Sequence, residues 1–371
     1  MSNFRGAFHF VSAKKRMNSF VLLSTFRNFA PIMATKRIEY IDAMRGFTMI
    51  LVVYSHVCHF CFGDSLLGYN GTFFLFRLPC FFMLSGWLFE PVAQRPFIAN
   101  VRHKFMVQIV PTFIFLLLLA PPPEFFHQLG AVKGGYWFTF VLFEFFILYM
   151  IIVRISIRWS VLMALAIALG SFVYARNYDS LKSMAEGWQL HVINGLGFAS
   201  VTLWRFFLFF YIGAWMRRHF EAFIHWTSKP VVIIIITVVF FAIASTPHID
   251  NMCYEMGRFY IGGITGMWMV FTIFRLSISS LKKFRLSTPL QYVGTRTLDI
   301  YLLHYFFLPR FLMPYADQLR AYDSHLLEFI IIMGVSFIVL AISLLVSYII
   351  RLSPFLGHYL FGVKYEIPTN R

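Results

Sequence analysis

Charge is what this sequence has least of. Asp, Glu, Lys and Arg make up 13% of its 371 residues, against 59% hydrophobic and 20% aromatic, a balance that excludes a soluble globular domain of this size. Cysteine is scarce as well. Cys58, Cys61, Cys80 and Cys253 are too few and scattered for a disulfide framework, and Cys58-x-x-Cys61 lacks the second pair that a zinc or redox site needs, so no metal is expected. The apolar runs show no strand-like alternation, which excludes a membrane barrel. No internal repeat is visible, against transporter folds built from inverted halves. No segment between apolar runs is long enough to fold as a second domain, and no apolar core with a small-residue cleavage site marks a secretory signal.

What is present is hydrocarbon in span-sized pieces. Forty-seven Phe and runs such as Val231 to Phe241 have helical length and character. Ten spans are expected, near residues 38–61, 72–91, 105–121, 136–153, 159–175, 197–216, 230–247, 258–274, 297–315 and 326–350. With the N-terminus inside, 23 of the 32 Lys and Arg fall on the inner side, 6 on the outer side and three (Arg45, Arg77, Arg205) within spans. That bias puts both termini in the cytoplasm and accounts for the net charge of +16 as topology, without nucleic acid. The fold class is therefore all-α, a polytopic membrane helix bundle over 37–351 in contact with the lipid bilayer. It is flanked by a basic tail, 1–36, and a cytoplasmic tail, 352–371. The N-terminal tail reads either as a basic interfacial segment or as a stretch preceding an alternative start at Met33; no chemistry is assigned to it.

The first span is the unusual one. It carries Asp42, Arg45 and His56. Eleven residues at about 100° each return a helix to within roughly 20° of its start, so Arg45 and His56 share a face, and Asp42 lies one turn before Arg45 where the two can pair. An ionisable group in hydrocarbon costs several kcal/mol, so this stripe should face a protein interior or a water-filled cavity. A neutral imidazole there is suited to take a proton from an attacking hydroxyl. A desolvated arginine, from among Arg45, Arg77 and Arg205, is suited to hold a developing oxyanion.

Other polar groups are more ambiguous. Arg77 either snorkels to the outer interface or joins His56. Glu144, near mid-span, needs a partner such as Arg45 or Arg205, and a structural ion pair is the simpler reading. Trp137 fits an aromatic belt. His304 on its own would be a hydrogen-bonded packing histidine, and five residues from Asp299 it is not on that carboxylate's face. Arg102, His103 and Lys104 are expected inner-side charge, with gripping the phosphates of a nucleotide-containing donor as the second reading.

Three stretches together resemble the membrane acyltransferases of acyltransferase family 3. They are Asp42-x-x-Arg45-Gly46 with His56 after ten intervening residues; Phe76-Arg77-Leu78-Pro79-Cys80-Phe81-Phe82-Met83-Leu84-Ser85-Gly86; and Gly294-Thr295-Arg296-Thr297-Leu298-Asp299-Ile300-Tyr301-Leu302-Leu303-His304, where Thr297 replaces a serine. Tyr136-Trp137-Phe138 adds weaker support. One departure is that Val107 and Gln108 stand where the family often has further basic residues. The resemblance implies transfer of an acyl group, usually acetyl, from acyl-CoA as co-substrate to a hydroxyl of a cell-surface glycan or glycolipid, with no bound cofactor, in a bacterial inner membrane. On this reading His56, Arg45 and Asp42 are catalytic. Arg77, Glu144, Arg205, Trp137, His304 and Tyr301 contact substrate, and Arg102 and Lys104 contact the donor. The competing reading is a transporter or flippase for an anionic glycan or lipid intermediate, which explains buried charge but not the Arg-to-His spacing.

Overall fold

The computed structural model describes residues 38–63, 68–119 and 133–363; the expected N-terminal tail lies outside them. Among the described residues every regular element is helical. In chain order these are α1 (Glu39–Phe62), α2 (Gly68–Phe89), α3 (Phe97–Lys104), α4 (Val110–Leu119), α5 (Trp137–Ile152), α6 (Ile157–Met184), α7 (Trp188–Phe198), α8 (Phe207–Arg218), α9 (Phe220–Thr227), α10 (Pro230–Ala244), α11 (Met252–Lys283), α12 (Ser287–Thr295), α13 (Thr297–Leu303), α14 (Ala316–Arg320), α15 (His325–Arg351) and α16 (Pro354–Phe361).

Among the described residues, six helices are long and apolar enough to cross a membrane: α1, Gly71–Val92, Phe97–Leu119, α6, α11 and α15. The number rises to eight if two bent pairs each count as one span. The ten expected from sequence are thus not all continuous helices, and the breaks have local causes. The expected span over 197–216 bends by 47° between α7 and the helical stretch 201–218, where Ser200 takes φ +54°. The one over 230–247 is joined to α9 at an 80° bend beside Pro230, whose ring cannot continue a preceding helix. The expected span over 297–315 is helical only to Leu303. It then breaks into 3-10 turns at His304–Phe306 and Arg310–Tyr315, with Pro309 and Pro314 removing backbone donors. The tail expected after 352 contains α16, started by the Ser353 side chain, which accepts from the Leu356 N–H, and by Pro354 in the first turn.

Two close crossings set the centre of the bundle. A Cβ on Gly46 of α1 would overlap the Leu290 carbonyl of α12, and a Cβ on Gly294 of α12 would overlap the Asp42 carbonyl of α1. The same reciprocity joins α2 to α8, where Gly86 faces the Phe210 carbonyl and Gly213 the Met83 carbonyl. Apolar lipid gives helices no hydrophobic reason to associate, so close backbone approach through small residues supplies the packing. Aromatic rings fill the space around these crossings, among them Phe82, Phe145, Phe207 and Phe210, all fully buried. Ile234, Ile235 and Phe241 on α10 and Phe337, Ile338 and Leu345 on α15 are exposed, as lipid-facing surface requires.

α15 is clamped to α13 by a buried ion pair. Arg351 donates from Nε to Asp299 Oδ2 at 2.7 Å and from Nη2 to Oδ1 at 2.8 Å, and Ser347 donates to Oδ2 at 2.5 Å. α1 ends at Gly63, φ +70°, where Arg320 Nη2 donates to the Phe62 carbonyl at 3.0 Å and satisfies one of the acceptors that a helix C-terminus leaves open.

Candidate active site

His56 is half-buried on α1 and borders a cavity of about 400 Å³ with Ser55, His59, Arg77, Trp137 and Tyr301. Its Nδ1 lies 2.8 Å from His304 Nε2, the two rings stacked 4.9 Å apart. His304, which is completely buried, has Nδ1 2.9 Å from the Ile300 carbonyl. A carbonyl only accepts. With both rings neutral, His304 Nδ1 therefore carries a proton, His304 Nε2 is a lone pair, and His56 Nδ1 is the donor across the 2.8 Å gap. His56 Nε2 is left as the basic nitrogen. The break at Leu303 that ends α13 is what turns His304 back toward α1.

Tyr305 Oη lies 3.2 Å from His56 Nε2 and donates to the Gly135 carbonyl at 3.0 Å. Tyr301 donates to the same carbonyl at 3.0 Å and accepts from the Phe138 N–H at 3.2 Å. Tyr136 donates to the Leu302 carbonyl at 2.7 Å. Three phenols thus bolt the Gly134–Trp137 turn to the end of α13. Gly135, at φ +90°, is pressed against the Tyr305 ring, which a Cβ would strike.

Arg45 points to a second cavity of about 250 Å³, bordered also by Lys104, Gln108, Thr139 and Thr297. Its guanidinium sits 3.4 Å from Asp42 Oδ1 and donates to Thr297 Oγ1 at 3.0 Å. Lys104 Nζ lies 4.3 Å from the centre of the Phe146 ring. Phe105–Ile109 forms a π-helical turn between α3 and α4, a geometry often found at functional sites; from it Gln108 donates to the Thr139 carbonyl at 2.6 Å. Phe81, Phe138 and Tyr301 border both cavities and form the wall between them. Arg45 and His56 share a flank of α1, about 16 Å from each other along the helix axis, and each borders a different one of the two cavities.

The remaining residues fall into two groups. Arg77 is buried on the wall of the His56 cavity, 5.5 Å from the centre of the Phe74 ring, and Trp137 borders the same cavity. Arg102 is exposed on a surface groove that meets the second cavity at Val107. Glu144 and Arg205 border neither cavity. Glu144 accepts from Trp204 Nε1 at 2.7 Å, a neutral donor where an arginine was expected. Arg205 lies against the Phe206 and Phe259 rings. Cys58 and Cys61 are buried thiols, and among the described residues no three His, Cys, Asp or Glu side chains gather as metal ligands do.

Sequence reasoning missed Tyr305, which stands next to a singled-out histidine, and Lys133, which reads as one more outer-loop charge. Lys133 is buried and donates to the Phe198 carbonyl at 2.6 Å and to Ser200 Oγ at 2.7 Å. Burial lowers its ammonium below the ordinary lysine range, with the Glu144 carboxylate acting in the opposite sense.

Long apolar helices enclosing two adjoining cavities, one of them bordered by a histidine paired to a second, buried histidine, define an integral membrane protein with an enzyme-like interior. A family model described as an acyltransferase domain, Acyl_transf_3, matches residues 38–352; the chain belongs to this family and is a membrane acyltransferase. No curated protein and no solved structure matches it.

Proposed function

We propose that the protein transfers an acyl group, acetyl in the first instance, from acyl-CoA to a hydroxyl of a cell-surface glycan or glycolipid, with His56 as general base. The observation that carries this reading is the hydrogen-bond line Ile300–His304–His56, which leaves His56 Nε2 as a base beside a cavity. The excess of Lys and Arg on one side supports an orientation with the Arg45 chamber toward the cytoplasm and the His56 chamber toward the outside. The donor enters at Arg45 and Lys104 and the acceptor at His56 and Arg77. Aromatic walls from Trp137, Phe74 and Phe138 suit the apolar face of a sugar, and a few polar groups fix its orientation.

In the chemical step the acceptor hydroxyl displaces the longer contact to Tyr305 and gives its proton to His56 Nε2 as its oxygen bonds to the thioester carbon. Once the oxygen is acylated, the new Nε2–H can donate to Tyr305 Oη, which keeps its own proton in its hydrogen bond to the Gly135 carbonyl, so every donor on the charged ring is satisfied. The tetrahedral oxyanion forms in the cavity that Arg77 borders, which favours Arg77 over Arg45 and Arg205 as its electrostatic partner. Collapse breaks the carbon–sulfur bond, and the departing thiolate takes the proton back from His56. Asp42 and Thr297 hold Arg45, and neither touches the reacting atoms.

Purified protein in detergent, given acetyl-CoA and an isolated envelope glycan, should form a new ester detectable by mass spectrometry. A transporter makes no product when there is no membrane to cross, so absence of ester under these conditions contradicts the enzyme reading.

A further inference from the structure

Lys133 is a cation that the chemistry above does not use, and it is only 2% exposed. An ammonium taken out of water is costly unless its protons find oxygens. This one donates to the Phe198 carbonyl at 2.6 Å and to Ser200 Oγ at 2.7 Å, and the Phe140 and Phe198 rings lie 5.5 and 5.3 Å from it. Phe198 is the last residue of α7, where a helix leaves carbonyls open and a cation is favoured. The lysine therefore seals the break between α7 and the 3-10 stretch Val201–Phe206. Glu144 ties α5 to the same stretch through Trp204 Nε1.

The backbone at both ends of the Lys133–Ser200 bond is strained. Lys133 takes φ +45° and Ser200 φ +54°, a region that side chains disfavour and that persists only where the surroundings enforce it. Two of the four non-glycine residues in that region among the described residues are thus hydrogen-bonded to each other. From Lys133 the chain stays left-handed through Gly134 at φ +58° and Gly135 at φ +90°. The Tyr136 N–H then closes the turn onto the Lys133 carbonyl at 2.9 Å. This turn aims the Gly135 carbonyl at Tyr301 and Tyr305, and both phenols donate to it at 3.0 Å.

Tyr305 has one proton and two acceptors within reach, the Gly135 carbonyl at 3.0 Å and His56 Nε2 at 3.2 Å. Nε2 is open to an incoming hydroxyl only while the carbonyl keeps that proton. A carbonyl that swings away hands the proton to Nε2, and the base is capped.

We infer that Lys133 is a positioning residue for the general base: its ammonium pins the left-handed turn to the α7 break, which holds the Gly135 carbonyl on Tyr305 and keeps the Tyr305 proton off His56 Nε2. Lys133 borders neither cavity and touches none of the reacting atoms. The inference rests on His56 as the base in the reading given above and adds the residue that holds that base open.

The test is a double-mutant cycle on the purified full-length protein in detergent, read as ester formed per enzyme. Lys133→Met, similar in length and uncharged, should lower kcat about tenfold and leave KM for both substrates within about twofold. Lys133→Arg, which keeps a cation for the Phe198 carbonyl, should recover part of the loss. In a Tyr305→Phe background, whatever activity that variant retains, adding Lys133→Met should change kcat by less than about twofold, because the capping proton is gone. In 15N spectra of histidine-labelled protein, the His56 Nε2 signal, assigned by its loss in His56→Gln, should move upfield in Lys133→Met, as a lone pair does on accepting a hydrogen bond. If Lys133→Met does not fold, Ser200→Ala, which removes one of the two acceptors, takes its place in the cycle with an expected loss of about threefold. An unshifted His56 signal, a wild-type kcat, or the same loss with and without the Tyr305 hydroxyl overturns the inference and leaves His56 standing as the base. No ester from the wild type overturns the enzyme reading and the inference with it.

Discussion

Gly46 and Gly294 meet backbone to backbone, each lacking a side chain at the point where the carbonyl of the other helix passes. This crossing fixes where α12 and α13 lie along α1. Thr297, three residues after Gly294, then reaches Arg45 at 3.0 Å, and His304, ten residues after it, reaches His56 at 2.8 Å. Two sequence motifs far apart in the chain are thus one structural unit, and their glycines are its hinge pin.

Enlarging either glycine should separate the helices. Gly46→Val or Gly294→Val is expected to cost about 1–3 kcal/mol or more, in the range of overpacked cores, and to lower the unfolding temperature in detergent together with activity. Gly71, whose added Cβ would meet nothing within 4 Å, is the control: Gly71→Ala should leave the unfolding temperature within experimental scatter. An unchanged melting profile for Gly46→Val contradicts the crossing.

His304 acts through His56. His304→Leu leaves His56 Nδ1 without an acceptor, so kcat should fall about 100-fold or more, the scale of a positioned proton transfer, with KM for either substrate little changed. His304→Gln, which restores an acceptor oxygen, should recover part of the loss. Spectra of 15N-histidine-labelled protein should show His56 protonated at Nδ1 in the wild type and a mixture of tautomers in His304→Leu. A wild-type His56 protonated at Nε2 contradicts the relay.

Tyr301 is both wall and bolt. Tyr301→Ala removes a side chain shared by the two cavities and one of two phenols on the Gly135 carbonyl, admitting water to the thioester. The ratio of donor hydrolysis to acyl transfer should rise severalfold, measured as free thiol released against ester formed. Tyr301→Phe keeps the wall and should keep the ratio near that of the wild type.

The Asp299–Arg351 clamp between α13 and α15 should show the asymmetry of buried ion pairs. Asp299→Asn strands Arg351 and should destabilise the protein by about 3–5 kcal/mol, whereas an apolar replacement of both partners should cost less, as read from unfolding in detergent. Equal losses for the single and double variants contradict a desolvated pair.

Much of this organisation is legible in the chain, because a polar stripe in an apolar helix is a loud signal. Asp42, Arg45 and His56 on one flank of α1, the helical class and the membrane character all follow from spacing and composition. The pairing of His56 with His304 does not, since it depends on a helix that stops at Leu303 and turns, which the apolar run Leu302 to Leu308 conceals. Glu144 was misleading for a related reason: a carboxylate in hydrocarbon demands a donor but does not say which, and the indole N–H of Trp204 serves. The division of the stripe between two chambers depends on three rings, Phe81, Phe138 and Tyr301, from three helices, and no local pattern reveals such a meeting.

The most direct measurement is acyl transfer by purified His56→Ala, followed as ester formed per enzyme over a pH series. Loss of transfer by at least about 100-fold, with CoA still bound, the unfolding temperature held and the acid limb of the wild-type pH profile gone, is the predicted result. Full transfer by His56→Ala with the wild-type pH profile would contradict the account at its centre.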